Sequence, residues 1–167
     1  MRTKLYLIIA LLVVAAGVSA RSAPRPAPGF ALQNNRGDMV FKSSLKGNLL
    51  ISFFASYCRP CAKELPLLAA LEKKYGAQKS MSIVLISADV NDTDGDAKQK
   101  ADRFLRKAGI ERDYLLDMYH VVIEKYNPKK MLPAVFLVNR AGYIVFSEIG
   151  AREDTLQRLE EAIRNLR

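Results

Sequence analysis

Nearly continuous apolar runs alternate along this chain with segments whose apolar residues recur every three or four positions. Residues 48–55 and 81–88 are runs of the first kind, which are typical of strands covered on both faces of a sheet. Residues 60–75 are of the second kind and predict an amphipathic helix, which Pro66 is expected to kink. Since this helix connects two buried strands, we expect a βαβ unit with parallel strands and a right-handed crossover.

The pattern adds two pairs of strands and three helices around this unit. The strands fall at 30–32 and 39–41, joined by a polar turn over 34–38, and at 133–138 and 143–146, joined by a turn over 139–142. The helices fall in a segment ending at Gly109, at 119–126 and at 156–166. The first pair of strands predicts a short amino-terminal hairpin.

The amino terminus has the three-part pattern of a secretory signal peptide. Arg2 and Lys4 precede an apolar run over 5–18, and small residues follow as far as Ala20. We therefore expect residues 1–20 to be a signal peptide cleaved after Ala20. The alternative is an uncleaved membrane anchor, although the run falls just short of the length that a spanning helix needs. In both cases we expect the protein to be exported, to the periplasm or another extracytoplasmic space.

Composition favours one folded domain with a short leader. Residues 21–29 are rich in Pro and predict an extended spacer, so we expect the domain to occupy residues 30–167. The net charge of +9 comes from Lys and Arg residues scattered among Asp and Glu, without a basic tract. We therefore do not expect nucleic-acid binding, and we interpret the charge as a solvated surface that leaves an acidic partner open.

Both cysteines of the chain, Cys58 and Cys61, lie in one four-residue window between a predicted strand and a predicted helix. A thiolate at Cys58 would be favoured by the free N–H groups and the dipole of the helix amino terminus. Pro60 suits the first helical turn, where its missing N–H leaves no intrahelical bond unmade. We therefore assign Cys58 as the attacking thiol and Cys61 as the resolving thiol of a redox pair.

Two other interpretations of the cysteine pair remain open at this point. A zinc site needs four ligands, and the chain offers two cysteines and the lone His120. The pair is also compatible with an inert structural disulfide. The position between strand and helix favours a redox-active pair over a zinc site or a structural disulfide, so we expect neither a metal nor another cofactor.

Residues 53–61, followed by Glu64 and Pro66, resemble the TlpA/ResA family of thioredoxin-like thiol-disulfide oxidoreductases. The similarity continues over 132–138 and 142–145, and it covers essentially residues 30–167. It implies an α/β, thioredoxin-like fold in which a central mixed β-sheet is flanked by helices. It also implies that Pro133 is cis and that Leu132 and Pro133 lie beside Cys58; the alternative is an ordinary trans proline at the start of a strand.

The resemblance assigns further residues to the site. Glu64 matches the glutamate that this family carries three residues after the second cysteine, where it could raise a thiol pKa or relay a proton. The alternative for Glu64 is a solvated glutamate of the first helical turn. Substrate contacts are expected from Tyr57, Arg59 and Pro60 on the cysteine turn. On the proline turn we expect them from Leu132 and Pro133, the backbone of Leu132 pairing with an extended client segment.

Three positions depart from the wider pattern of the fold. Tyr57 stands where Trp is usual before the first cysteine, Ser52 stands where thioredoxin has a buried acid, and Ala134 stands where Thr commonly follows the proline. The change at Ser52 fits the TlpA/ResA branch better than cytosolic thioredoxin. The change at Ala134 removes a hydroxyl from the expected substrate contacts.

The resemblance implies an exported reductase that keeps client thiols reduced, with apocytochrome c or metal-site proteins as clients and a membrane or exported thiol as electron donor. Arg59 could stabilise the Cys58 thiolate, but a single exposed charge near a helix end contributes only about 0.3 to 1 kcal/mol. The direction of electron flow therefore rests on the resemblance. A peroxidase-like redoxin and a non-catalytic binding module are the alternatives.

Overall fold

The computed structural model describes residues 25–93 and 95–166, which form one eight-stranded mixed sheet with helices on both faces. The strands are β1 (Arg25–Pro26), β2 (Ala31–Asn34), β3 (Met39–Phe41), β4 (Asn48–Phe54), β5 (Met81–Ser87), β6 (Leu115–Leu116), β7 (Ala134–Val138) and β8 (Tyr143–Ile149). The helices are α1 (Arg59–Lys79), α2 (Ala97–Lys107), α3 (Val121–Tyr126) and α4 (Thr155–Arg164), with a 3₁₀ turn at Lys42–Ser44. The predicted signal peptide or anchor, 1–20, lies outside the described residues.

The order of the strands confirms the predicted mixed sheet. It is β1-β8-β7-β4-β5-β6-β2-β3, with β4 parallel to β5, β5 parallel to β6, and all other neighbours antiparallel. The unit β4-α1-β5 is the predicted parallel βαβ, and β2-β3 is the predicted hairpin. The chain leaves the carboxyl end of β4 for α1, and the antiparallel strand β7 begins beside this end, so the cysteine turn and the start of β7 lie at one edge of the sheet.

Helix α1 is longer than the sequence pattern predicts. It begins directly after Cys58, continues past Pro66 and ends at Lys79, whereas the apolar stripe indicates an end near Tyr75. Ser80 closes the helix in the left-handed region, and the buried Asn48 side chain donates to the Lys79 carbonyl oxygen. Because this last turn has its own hydrogen-bond partners, it does not need an apolar stripe to be stable.

The sheet separates two apolar cores. On one face, α1, α2 and α4 pack on residues such as Leu50, Phe54 and Leu137. On the other, α3 and the amino-terminal segment pack on Phe53 and Phe136. Burial on both faces is what the continuous apolar runs of β4 and β5 predict, and these two strands and β7 are buried at nearly every position.

The predicted spacer, 21–29, is in contact with the domain over its described part. Arg25 and Pro26 form β1 at one edge of the sheet, paired with β8, and Ala27 donates a backbone hydrogen bond to Gly142. Pro26 is tolerated there because an edge strand leaves one row of backbone groups without a sheet partner. The sequence pattern shows neither β1 nor β6, since a two-residue strand has no periodicity to detect.

No helix within the described ranges is both long enough and apolar enough to cross a membrane. Over the same ranges, no three His, Cys, Asp or Glu side chains are grouped so that they could hold a metal ion.

Candidate active site

A tight turn carries the chain from β4 into α1 and presents the two cysteines. Cys58 donates its backbone N–H to the carbonyl oxygen of Ala55, 3.0 Å away, which closes the turn. Cys58 is the N-cap of α1, and Pro60 lies in the first helical turn as predicted. The strand thus ends before this turn, the helix begins after it, and Cys58 lies at the helix amino terminus.

Cys58 and Cys61 form a disulfide, with Cα atoms 5.4 Å apart. The backbone N–H of Cys61 donates to Sγ of Cys58 across 3.3 Å, so the sulfur takes the place of the side-chain oxygen in a typical cap. Cys58 is 5% exposed and Cys61 is 1% exposed. Cys58 is therefore the more exposed of the two cysteines.

Glu64 lies on the next turn of α1, as its spacing from Cys61 predicts, and it is half-buried. Burial raises the pKa of Glu64 to about 7, and the nearby charge of Glu148 on β8 contributes to the rise. Oε2 of Glu64 is buried without a hydrogen-bond partner in the described part of the chain. Glu148 itself is paired with Arg158 of α4. A carboxyl group that titrates near neutral pH is thus available close to the cysteine turn.

Leu132 and Pro133 precede β7, and the peptide bond between them is cis, as the resemblance implies. Ala134, the next residue, lies opposite Phe53 in the antiparallel pair β7-β4. Since β4 runs on into the cysteine turn, this register places the proline turn at the same edge of the sheet as Cys58. Within 25–93 and 95–166, no backbone–backbone hydrogen bond involves Leu132.

The other predicted substrate contacts lie on the surface of the cysteine turn. Tyr57 is 70% exposed, and Arg59 and Pro60 are exposed beside it. Ser52, at the position of thioredoxin's buried acid, is fully buried on β4, and its Oγ has no hydrogen-bond partner among the described residues. The site therefore offers an exposed aromatic wall but no carboxylate at this strand position.

A buried carboxylate that the sequence reasoning missed lies next to the cysteine turn. Asp89 follows β5, is 1% exposed and accepts hydrogen bonds from the backbone N–H and the hydroxyl of Ser56, at 3.0 and 2.6 Å. Its other oxygen accepts from the hydroxyl of Ser87, 2.9 Å away. The predicted topology could have revealed it, because Asp89 and Ser56 follow neighbouring parallel strands, whose carboxyl ends meet at one edge of a sheet.

Basic side chains line a small cleft beside the same turn. The cleft has a volume of about 140 Å³ and is lined by Ser56, Phe104, Lys100, Arg103 and Lys107. Lys100 is paired with Asp92, whereas Arg103 and Lys107 are exposed on the outer face of α2. The approach to the cysteine turn from this side is therefore cationic.

A cysteine pair of this kind, at the amino terminus of the helix that follows a central parallel strand, defines the thioredoxin-like class of thiol-disulfide oxidoreductases. The AhpC/TSA family model matches residues 24–147. The chain belongs to the AhpC/TSA family.

Individual relatives show which kind of protein within this class the chain resembles. The chain is 28% identical over 144 residues to a Bacillus subtilis protein named thiol-disulfide oxidoreductase ResA, a match that covers 86% of this chain and 76% of the relative. Among solved structures, a Chlorobium tepidum protein assigned as thiol:disulfide interchange protein DsbE superposes with a TM-score of 0.72 at 25% identity, covering 84% and 94% of the two chains. A thiol-disulfide oxidoreductase from Bacteroides fragilis gives 0.65 at 25% identity, covering 82% and 98%. The enzyme is thus a thiol-disulfide oxidoreductase of the ResA/DsbE type.

Proposed function

We propose that this enzyme is an exported protein-disulfide reductase that acts through a Cys58–Cys61 dithiol-disulfide cycle. The observation that carries the proposal is the disulfide at the start of α1, in which Cys58 is the more accessible sulfur and accepts a helix N–H. The similarity to proteins named ResA and DsbE supports action on protein thiols. The amino-terminal sequence pattern, which resembles a signal peptide, supports export.

Each turn of the cycle transfers two electrons from the enzyme to a client disulfide. The Cys58 thiolate attacks one sulfur of a client disulfide, which forms a mixed disulfide and releases the other client sulfur as a thiolate. The Cys61 thiolate then attacks Sγ of Cys58, releases the second client thiolate and leaves the Cys58–Cys61 disulfide. The client is reduced by two electrons and the enzyme is oxidised by two. A membrane or exported dithiol must then reduce the enzyme again.

Glu64 is the proposed proton donor and acceptor of this cycle. The resolving thiol must lose a proton before it attacks, and each departing client thiolate takes up a proton. Since the pKa of Glu64 is about 7, the group exchanges protons readily in both directions near neutral pH. The proposed client contacts are Tyr57, Arg59, Pro60, Leu132 and Pro133. The backbone of Leu132 would pair with an extended segment of the client.

Apocytochrome c and metal-site proteins are the proposed clients, because both need reduced cysteines before their cofactor can bind. The test uses a disulfide-closed peptide with the Cys-Xaa-Xaa-Cys-His sequence of haem attachment sites. We expect the reduced full-length protein to reduce this peptide at least tenfold faster than a scrambled peptide with the same cysteine spacing. Equal rates for the two peptides would contradict the client assignment.

Trapping tests the cycle itself. In cells, Cys61→Ala removes the resolving thiol and should accumulate mixed disulfides that a reductant releases, whereas the matched Cys58→Ala should accumulate none. The same number of adducts in both variants, or none in Cys61→Ala, would overturn the assignment of Cys58 as the attacking thiol.

The match to the AhpC/TSA family favours one second candidate, a peroxidase-like redoxin. Peroxide consumption by purified protein that survives Cys61→Ala would support it, because a peroxidase needs only the attacking thiol for its first step. A non-catalytic binding module would instead mature its clients normally in cells that carry Cys58→Ala and Cys61→Ala together.

A further inference from the structure

Asp89 is a nearly fully buried acid that the proposed cycle does not use. An ionised carboxyl group at 1% exposure needs strong hydrogen-bond donors to offset its lost hydration. Asp89 has three such donors, the N–H and hydroxyl of Ser56 and the hydroxyl of Ser87. Two of them belong to Ser56, a residue of the cysteine turn.

Two residues of the cysteine turn are held by hydrogen bonds. Ser56 is held by Asp89, and Cys58 donates to Ala55 across 3.0 Å. Ser56 and Cys58 are two residues apart, so their Cα atoms are at most about 7.6 Å from each other. The carboxylate of Asp89 is therefore bonded to the same turn that holds the sulfur of Cys58.

Other charged and titratable groups lie around Asp89. The pKa of Tyr57 is raised, first by partial desolvation of its hydroxyl and then by Asp89, although the residue as a whole is 70% exposed. Burial, the neighbouring Asp102 and then Asp89 raise the pKa of Tyr114. Lys100 bonds the Val90 carbonyl oxygen, and His120 contacts the Ala88 carbonyl oxygen. On α2, Arg103 and Lys107 are exposed and screened by water, whereas the Lys100 side chain is mostly buried and paired with Asp92. Arg59, next to Cys58, is also exposed.

We propose that Asp89 is a positioning residue of the redox centre, which holds the Ser56–Cys58 turn in place and whose charge disfavours the thiolate of Cys58. A less stable thiolate raises the free energy of the reduced dithiol once the solution pH reaches the thiol pKa, and the pair then gives up its electrons more readily. This inference rests on the proposed redox cycle. The charge of Asp89 would favour the reducing direction, for which the sequence offers only the family resemblance.

Asp89→Asn separates charge from geometry, because the Asn oxygen still accepts from Ser56 while its amide donates to Ser87. We expect the pKa of the Cys58 thiol, measured from the pH dependence of alkylation in the reduced full-length protein, to fall by about 0.5 to 1 unit. At pH 8.5 the equilibrium with reduced and oxidised glutathione should shift about three- to fivefold toward the dithiol. Asp89→Thr, which also removes the charge, should shift both quantities in the same direction.

Asp117→Asn is the matched control. Asp117 is also 1% exposed, but its carboxylate accepts from the backbone N–H groups of Val122 and Ile123 at the start of α3. We expect this variant to lose stability without a change in the Cys58 pKa.

Unchanged Cys58 pKa and glutathione equilibrium in Asp89→Asn, or equal changes in Asp117→Asn, would overturn the inference. Failure of both Asp89 variants to fold would also overturn it, because Asp89 would then belong to the stability of the fold. Absence of any reversible couple in the unsubstituted protein would instead overturn the proposed function.

Discussion

The backbone N–H of Cys61 donates to Sγ of Cys58 across 3.3 Å, so one of the unpaired donors of the helix amino terminus is directed at the sulfur of the proposed attacking thiol. We expect this arrangement to make Cys58 the more reactive cysteine of the reduced protein. Iodoacetamide at pH 7, followed by mass spectrometry of the labelled peptides, should modify Cys58 at least tenfold faster than the less exposed Cys61. Equal labelling of the two cysteines would contradict their assigned roles.

Glu64 should make the stability of the oxidised protein depend on pH. Its pKa is about 7 in the folded protein, against an ordinary value of 4.5, so between these pH values the folded state holds a proton that the unfolded state has lost. The free energy of unfolding should therefore fall as the pH rises from 4.5 to 7, by on the order of 2 kcal/mol. Urea unfolding of Glu64→Gln should show this fall largely abolished.

The exposed Glu153 provides the control for that measurement. Glu153→Gln should keep the pH dependence of the unsubstituted protein. An identical pH dependence in Glu64→Gln would show that Glu64 does not hold its proton near neutral pH.

Two glycines with similar backbone angles provide a test of the connection before β4. Gly47 has φ +79° and Gly142 has φ +85°. An added Cβ at Gly47 would clash with the Ser80 carbonyl oxygen, whereas at Gly142 it would meet no described residue beyond its two chain neighbours within 4 Å. We expect Gly142→Ala to cost about 1 kcal/mol of unfolding free energy, from φ alone. Gly47→Ala should cost at least about 2 kcal/mol more, because the clash is with backbone. Equal losses in urea unfolding would contradict the close packing of Gly47 on Ser80.

Tyr57 should matter for clients and not for small disulfides. The residue is 70% exposed next to Cys58, where its ring can cover an apolar part of a bound polypeptide. We expect Tyr57→Ala to slow reduction of a disulfide-closed client peptide about three- to tenfold, while the rate with a small uncharged disulfide stays within twofold. Tyr119→Ala, at another exposed tyrosine, is the control and should change neither rate. A similar slowing with both substrates would assign Tyr57 to the chemistry of the turn instead of client contact.

The sequence was sufficient to predict the elements that carry their own periodicity. The βαβ unit β4-α1-β5, the hairpin β2-β3 and the strand pair β7-β8 are confirmed. The cysteine turn follows from them, because Cys58 and Cys61 stand between a continuous apolar strand and an amphipathic helix. The cis peptide bond before Pro133 was implied by the family resemblance, and local sequence alone would have left it open.

Features that depend on distant contacts could not be predicted. The two-residue strands β1 and β6 exist only through pairing with neighbours. Asp89 and Glu148 look like ordinary acids in the sequence, and only the sheet order brings them to Ser56 and Glu64. Arg25 is predicted in a spacer, but its guanidinium donates to the Tyr126 carbonyl oxygen about a hundred residues away. Long-range partners of this kind leave no local pattern.

The redox equilibrium of the cysteine pair shows whether Cys58 and Cys61 form a reducing couple. The purified full-length protein would be incubated with defined ratios of reduced and oxidised glutathione, and the fraction of Cys58–Cys61 disulfide would be measured by alkylation and mass spectrometry. A reductase should show one reversible two-electron transition, with a potential nearer to about −270 mV than to about −120 mV. A protein that remains fully oxidised or fully reduced at every ratio would contradict the account, and a potential near about −120 mV would contradict the reducing direction.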